Sequence, residues 1–244
     1  MNDTQVTLIV PTMNEIDGLK WFMPRLKKEW YDEIIIVDGG STDGTVKYCV
    51  DNNYPIFTQS GKGLTNAQDE AFRRSTKDII ITITPDGNSL PESITQLSEK
   101  IREGYDMVIA SRYTGTAKSC DDDLITAFGN WLFTTLINIL FGGKYTDTLV
   151  AFRAYRRDAI ERMCLYDQHK QGWLKARLPR MNSWETGSSI RALKLKLKVC
   201  EIPSDEPRRI GGTRKMSIIK NGTCALFQIL HELFIRCDFR HKKS

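Results

Sequence analysis

Ile34–Gly44 reads IIIVDGGSTDG. Four apolar residues end at Asp38, and two glycines, a serine, a threonine and a second Asp-Gly follow. A short apolar run closed by turn residues predicts a strand buried on both faces. The glycines permit positive φ and close backbone approach. The chain therefore turns into a helix beginning near Thr45, with Asp43 or Ser41 as its cap. That accounts for Asp43 and Gly44. Asp38 differs, because a carboxylate at the end of a buried strand needs a partner. The turn lacks both Gly-Lys-Ser/Thr and G-x-G-x-x-G, which excludes the two common phosphate-cradling loops. A carboxylate there suits hydrogen bonds to a base or ribose better than a grip on phosphate.

The same alternation continues outward from this stretch. Strands are predicted at Val6–Val10, Ile34–Val37, Pro55–Thr58, Asp78–Ile83 and Met107–Ala110. Between them lie helical stretches at Asn14–Trp30, Val46–Asn52, Thr65–Ser75 and Pro91–Glu103. Strands separated by helices of this length imply an α/β fold: a mostly parallel central sheet with right-handed crossovers, flanked by helices on both faces. Ligands on such sheets sit beyond the carboxyl ends of the strands. Pro11–Glu15, Asp38–Gly44, Thr84–Ser89 and Ser111–Tyr113 then share one rim.

The 244 residues allow one large α/β domain or two small ones. With 41% hydrophobic and 27% charged residues the chain reads as folded, not disordered. A net charge of +5 is too small to argue for nucleic acid, but it suits an anionic ligand or membrane surface. The six cysteines are scattered, with no C-x-x-C and no pairing with the three histidines, which reads as reduced thiols. The opening MNDTQVTLIVP has neither the basic start nor the apolar length of a signal peptide. A cytoplasmic location is expected.

A second turn, TITPDGNSLPE at Thr82–Glu92, carries oxygen ligands two residues apart in Asp86 and Asn88. That pair suits one Mg²⁺ or Mn²⁺ shared with a substrate's phosphates. The alternative is a plain Asp-Gly turn before a helix started by Pro91.

Together these residues resemble family 2 glycosyltransferases with the GT-A (nucleotide-diphospho-sugar transferase) fold. The matching pieces are V-x-L-I-V-P-T-x-N-E at Val6–Glu15, VDGGSTDGT, the Gly61-Lys62-Gly63 loop and TPDGNSLPE, in order and spacing. "SRY" at Ser111–Tyr113 and DTLVAFRAYRR at Asp147–Arg157 narrow the resemblance to the dolichyl-phosphate mannose synthase-like, polyprenyl-phosphate branch. It covers roughly residues 5–218. It implies an inverting, metal-dependent hexosyltransferase that uses a GDP- or UDP-linked sugar and a polyprenyl- or dolichyl-phosphate acceptor. By resemblance, Pro11, Asn14, Glu15 and Asp38 line the nucleotide pocket, the loop ending at Gly63 closes over it, and Arg112 contacts the nucleotide sugar. Asp86 becomes the metal ligand bridging the diphosphate, and Asn88 stands where the branch usually has Gln. Two departures matter. Thr84 replaces the first Asp of the family's D-x-D, removing one charge from the metal site. Gly39 replaces the second Asp of the common VDDGS form, leaving GDP versus UDP open.

Chemistry assigns the cationic residues. Breaking the C1–O bond requires the diphosphate leaving group to be neutralised, by a divalent ion on Asp86 and by side chains. Arg153, Arg156 and Arg157 form one cluster, and Arg208, Arg209, Arg214 and Lys215 another. The second, EPRRIGGTRKMS, resembles the family's flexible R-x-G-x-S-K loop near the acceptor phosphate. Arginine forks fit phosphate oxygens and glycines let such a loop close. Arg153, Arg208 and Arg209 are expected at the acceptor phosphate, and Arg209, Arg214 and Lys215 in the catalytic set with Asp86. A solvated basic face is the alternative for either cluster. Glu185, in SWETGSS, sits where inverting members place an acid near the acceptor. It is a general base if the acceptor is a hydroxyl. For an already ionised phosphate it orients a basic residue, or serves only as the acidic start of a helix.

Leu124–Gly143 is charge-free, but its two Asn, three Thr and three Gly make it a poor transmembrane span. An interfacial helix or one packed on the domain fits better. Residues 1–217 read as the transferase domain and 218–244 as an amphipathic helix with a basic tail. Ala225, Leu226, Ile229, Leu230, Leu233 and Phe234 form its apolar stripe, expected as a peripheral anchor on the cytoplasmic membrane face. The alternative is a helix covering the domain or a homo-oligomer interface. The rival functions are transfer to a glycan or soluble hydroxyl in cell-surface polysaccharide synthesis, and a non-catalytic sugar-nucleotide-binding subunit that recruits a membrane partner.

Overall fold

The apolar stretch at Ile34 lies within β2 (Glu33–Asp38), paired in parallel with β1 (Val6–Thr12) from Thr7↔Glu33 to Thr12↔Asp38. The structure, a computed structural model, describes residues 4–166, 183–211 and 218–234. β3 (Ile56–Thr58), β4 (Ile79–Thr82), β5 (Met107–Ser111), β6 (Arg153–Arg156) and β7 (Val199–Pro203) complete a seven-stranded sheet in the order β3-β2-β1-β4-β6-β5-β7. β6 runs antiparallel to both neighbours and the other pairings are parallel. This is a mostly parallel sheet, as expected, with one reversed strand inserted. The reversal separates the first arginine cluster. Arg153 pairs with Thr82 near the carboxyl edge and Arg156 with Ile79 at the opposite end of β4, about 10 Å away at the rise of a strand. Arg157 there bonds the Lys77 carbonyl and the Ser75 hydroxyl.

Both faces of the sheet are covered, which explains why the strands are apolar without alternation. Leu8, Val10, Ile36, Ile79, Ile81 and Val108 face one cluster, with Leu19 and Phe22 of α1 (Ile16–Phe22) and Ile94 and Leu97 of α4 (Ser93–Arg102). Ile9, Val37, Ile80, Met107 and Tyr155 face the other, under α3 (Leu64–Arg74) and Trp184. Each fully buried Ile or Val side chain contributes roughly 1.5–3 kcal/mol. The helical stretch expected over Asn14–Trp30 is divided. α1 ends at Phe22 and two short 3-10 turns follow, Met23–Arg25 and Lys28–Trp30. Pro24 has no N–H to continue the α-helical ladder.

The remaining helices are α2 (Thr45–Asp51), α5 (Leu124–Phe141), α6 (Arg157–Arg162), α7 (Trp184–Lys194) and α8 (Ile218–Phe234). α5, α7 and α8 pack on one another. α8 docks through polar groups: Arg191 meets Glu232 at 2.7 Å with both side chains fully buried, and Gln228 exchanges hydrogen bonds with the Ser183 backbone. Of the predicted apolar stripe only Ile229 is fully buried. Leu226, Leu230 and Leu233 are about 40% exposed and Phe234 is 85% exposed. Leu226, Leu230, Leu233 and Phe234 turn away from the domain because the docked face is Gln228, Ile229 and Glu232.

Trp184 anchors the helical layer. It is fully buried, donates through Nε1 to Asp69 at 2.7 Å, and meets Tyr155 and Phe72 edge-on. Trp184→Ala is expected to cost about 3–5 kcal/mol of stability by the usual large-to-small core penalty, measured by urea unfolding.

Candidate active site

The carboxyl ends of β1, β2, β4 and β5 place the four predicted turns on one edge, where the first two bond to each other. Asn14, at φ 51°, donates its N–H to the Ser41 hydroxyl at 2.7 Å, and its side-chain oxygen accepts from the Thr42 N–H at 2.7 Å. The Glu15 N–H donates to Thr45 Oγ1 at 3.0 Å. Asp43 accepts from Thr45 through one oxygen and from the Ile16 N–H through the other, serving the starts of α1 and α2 together. Burial alone would raise its pKa, and these hydrogen bonds hold it below the ordinary carboxylate range.

Asp38 has found its partner in its own turn. Its carboxylate, 1% exposed, accepts from the Gly40 N–H at 2.9 Å and the Ser41 N–H at 3.1 Å. Gly40 reaches φ +96°, the left-handed conformation glycine tolerates. Asp38 therefore shapes the wall that Asn14 and Ser41 complete, while Pro11 lies buried within β1. A side chain at Gly39 would bring its Cβ within 3.1 Å of Met13 Cβ, so the missing acid makes room for a half-exposed Met13 at the pocket rim. The Gly61–Gly63 loop is exposed, and Gly63 begins α3 at φ +90°.

Asp86 closes the turn after β4. Oδ1 accepts from the Thr84 hydroxyl at 3.1 Å, so the residue that replaces an acid now orients the remaining one. Oδ2 faces Arg209 Nη1 at 3.3 Å. Burial raises the Asp86 carboxyl above its ordinary range, and Arg209 offsets that only in part. Asn88 points its amide toward Glu206 at 3.4 Å. Among the described residues, no three His, Cys, Asp or Glu side chains converge as a metal cage. The donors present are one carboxylate, an amide oxygen and a hydroxyl, with a guanidinium already seated on the carboxylate. That hard-oxygen set fits a divalent cation whose remaining ligands come from a substrate.

Arg112 lies deeper. Its guanidinium bonds both oxygens of Asp147, at 2.7 and 3.1 Å, and also reaches Asp122 at 3.4 Å and Glu206 at 3.3 Å. Burial would lower its pKa; the pull of Asp147, Glu206 and Asp122 outweighs burial and raises it. Expected as a nucleotide-sugar contact, Arg112 is instead committed to carboxylates. Glu206 also accepts from the Ser119 hydroxyl, and Asp122 from the Tyr113 hydroxyl.

Glu185 and Arg153 form a separate buried group. Glu185 accepts from Gln68 Nε2 at 2.9 Å and from the Ser183 hydroxyl at 2.6 Å, in the first turn of α7. Arg153, expected at the acceptor phosphate, is fully buried. It bonds the Val150 and Glu185 carbonyls and the Ser188 and Ser189 hydroxyls, and Nη2 has no partner among the described residues. It props the start of α7, because its strand faces that helix and not the rim. Arg208 is exposed. Arg214 and Lys215 lie outside the described residues. Sequence reasoning missed Asp121 and Gln68. Asp121–Asp123, three acids before an apolar helix, was the available signal for the first; nothing in the sequence marks Gln68.

The profile of "Glycosyl transferase family 2" matches residues 7–164, well over half of the chain. The chain belongs to this family. It is 26% identical to an undecaprenyl-phosphate mannosyltransferase of Micrococcus luteus, covering 87% of this chain and 88% of that protein. It is 27% identical to a polyprenol monophosphomannose synthase of Mycolicibacterium smegmatis, covering 88% and 82%. Against a UDP-N-acetylglucosamine–dolichyl-phosphate N-acetylglucosaminyltransferase of Methanococcus voltae it is 28% identical, covering 83% and 86%. Among solved structures, glucosyl-3-phosphoglycerate synthase from Mycobacterium tuberculosis, in complex with Mn²⁺, UDP and its product, superposes with a TM-score of 0.65 at 17% identity, over 98% of this chain and 82% of that one. The fold is GT-A.

The Arg112 network makes its own prediction. Arg112→Met leaves three carboxylates around a lost cation, one of them fully buried, and is expected to cost about 3–5 kcal/mol. Urea unfolding at neutral pH measures it.

Proposed function

We propose that this family 2 glycosyltransferase is an inverting, metal-dependent hexosyltransferase that moves a sugar from a GDP- or UDP-linked donor to a polyprenyl-phosphate-type lipid at a membrane surface. The observation that carries this reading is the pairing of Asp86 with Arg209 at the end of β4. One carboxylate for a cation and one guanidinium beside it are the equipment needed to hold a diphosphate that leaves. The three named relatives, which use undecaprenyl-phosphate, polyprenol or dolichyl-phosphate, support the acceptor class.

The chemistry follows from charge. The C1–O bond to the diphosphate breaks with its electron pair passing to the diphosphate oxygen, and an acceptor phosphate oxygen bonds C1 from the opposite side. A Mg²⁺ or Mn²⁺ ion held by Asp86, with Asn88 beside it, would neutralise the charge growing on the leaving group. Arg209 adds a fork to the same phosphates. Pro11, Asn14, Glu15, Asp38 and Gly63 frame the nucleotide, and Arg208, Arg214 and Lys215 supply charge for the acceptor phosphate. A phosphate acceptor is already ionised and needs no general base. Both Glu185 oxygens are held by Gln68 and Ser183, which favours this acceptor over a hydroxyl.

A lipid acceptor needs a surface. α5 spans 18 residues with mean hydropathy 1.6 and only 17% of them buried, which meets the length and composition of a membrane-crossing helix. Its inner side is nevertheless tied to the domain, with the Thr134 and Thr148 hydroxyls 2.9 Å apart and Ile137 buried. Its outer side exposes Leu124, Ile125, Phe128, Trp131 and Ile139, and the adjacent α8 exposes Leu226, Phe227 and Leu230. A helix pair tethered on one side and apolar on the other lies in the membrane interface, on the cytoplasmic face.

Two outcomes are expected. Asp86→Ala lowers Mn²⁺-dependent nucleotide release from GDP- or UDP-sugars with a polyprenyl-phosphate acceptor by about 10²-fold or more, the scale of losing one transition-state charge contact. Turnover that persists without Asp86 would remove the reading. Separately, the chain co-sediments with anionic liposomes, and Ile125→Glu with Phe128→Glu releases it to the supernatant. Equal pelleting of both proteins would refute the interfacial helix pair.

A further inference from the structure

The strap that follows β7 is packed directly on the turn bearing Asp86. The Ile210 N–H donates to the Asp86 carbonyl at 2.7 Å. The Ile210 side chain fills the place where a Cβ on Gly87 would come within 2.7 Å of it. Gly211, at φ +67°, lies so close to Asp17 that a Cβ would sit 2.9 Å away. On its other side the strap pairs with the segment before α5. The Glu206 N–H donates to the Lys118 carbonyl at 2.9 Å, the Cys120 N–H to the Glu206 carbonyl at 2.7 Å, and the Lys118 N–H to Asp205 at 2.8 Å. This zipper brings Asp121 against Arg209.

Asp121 then holds Arg209 twice. Its Oδ2 lies 3.2 Å from Arg209 Nη2, and its Oδ1 accepts the Arg209 backbone N–H at 3.4 Å. The other arm, Nη1, is the one on Asp86 at 3.3 Å. The guanidinium thus spans two carboxylates, at distances longer than the 2.7–2.9 Å usual for charge-assisted pairs. The turn lacks an acid at Thr84, and the structure supplies one from 35 residues beyond Asp86, on the far side of the guanidinium.

We infer that Asp121 is a positioning residue: it keeps Arg209 on the cation side of Asp86 in the ligand-free protein and retains it at the flank when a divalent cation takes Asp86. The inference rests on the proposed role of Asp86 as the cation ligand. In the free protein Arg209 occupies positive-charge space at Asp86 and competes with the metal. Once the cation and a nucleoside diphosphate arrive, Nη1 is released toward phosphate oxygens while Nη2 stays on Asp121. Asp121 also adds negative charge near the cation, so its loss weakens metal binding in two ways: less attraction, and a guanidinium left with Asp86 alone.

The test reads Mn²⁺ binding by the free-ion signal in electron paramagnetic resonance, on the full chain, with and without UDP or GDP. Without nucleotide, Arg209→Met is expected to bind Mn²⁺ about three- to tenfold more tightly, the worth of a partly exposed ion pair. Arg209→Lys, which keeps the charge, stays close to wild type. Asp121→Asn binds Mn²⁺ about three- to tenfold more weakly by the same reasoning, and Asp121→Glu restores the affinity. With nucleotide present, the Arg209→Met advantage reverses. Unchanged Mn²⁺ affinity in Arg209→Met or in Asp121→Asn, with melting curves like wild type, overturns the inference and leaves the Asp86 reading standing. Mn²⁺ binding that survives Asp86→Ala overturns the Asp86 reading instead.

Discussion

Arg112 sits where four stretches of chain must meet, and the geometry of the rim follows from how its charge is shared. The residue itself directly follows β5. Asp147 comes from the segment before β6, Asp122 from the loop before α5, and Glu206 from the strap after β7. Asp147 is fully buried, so its charge is tolerable only while the guanidinium stays in place. Glu206 passes the constraint on to Asn88, and the Glu206 backbone, zipped to Lys118 and Cys120, passes it to the loop holding Asp121. Asp86, Arg209 and Asp121 are therefore presented by elements that one buried cation has registered against each other.

The reversed strand β6 has a comparable reach. By running antiparallel between β4 and β5 it carries Arg153 to the carboxyl edge on the face covered by α7. There the guanidinium is solvated by carbonyls and hydroxyls in place of a carboxylate. Buried dipoles can hold a cation this way when several converge, and the arrangement ties the first turn of α7 to the sheet. Glu185 is locked in the same layer through Gln68 on α3. Arg153 and Glu185 thus bind groups within this one layer.

The outer helices invert the usual amphipathic logic. α8 buries Gln228 and Glu232 and turns most of its leucines and phenylalanines outward. A buried ion pair such as Arg191–Glu232 fixes orientation more than it adds stability. It leaves apolar residues of α8 exposed, as α5 does beside it.

How much of this was legible depends on the range of the interactions. Strands β1 to β5 and the four rim turns, the Asp86 turn among them, follow from local runs of apolar residues and Asp-Gly punctuation and lie close to the predicted positions, whereas β6 and β7 were not predicted. Asp43 was readable as a cap because the groups it binds at α2 are two residues away. Pro24 was a visible break in the Asn14–Trp30 stretch that helical periodicity alone passed over. The antiparallel placement of β6, the burial of Arg153, the committed state of Arg112 and the role of Asp121 were not legible, since their partners lie tens of residues distant. By itself, the sequence determined the α/β class, the family and the turn that carries Asp86, because these rest on short-range spacing and on which residue types a strand end tolerates. Only the tertiary structure decided which charged residues face a ligand and which face each other, because a charge is assigned by the partners that folding brings within about 4 Å, where Coulomb energies are large.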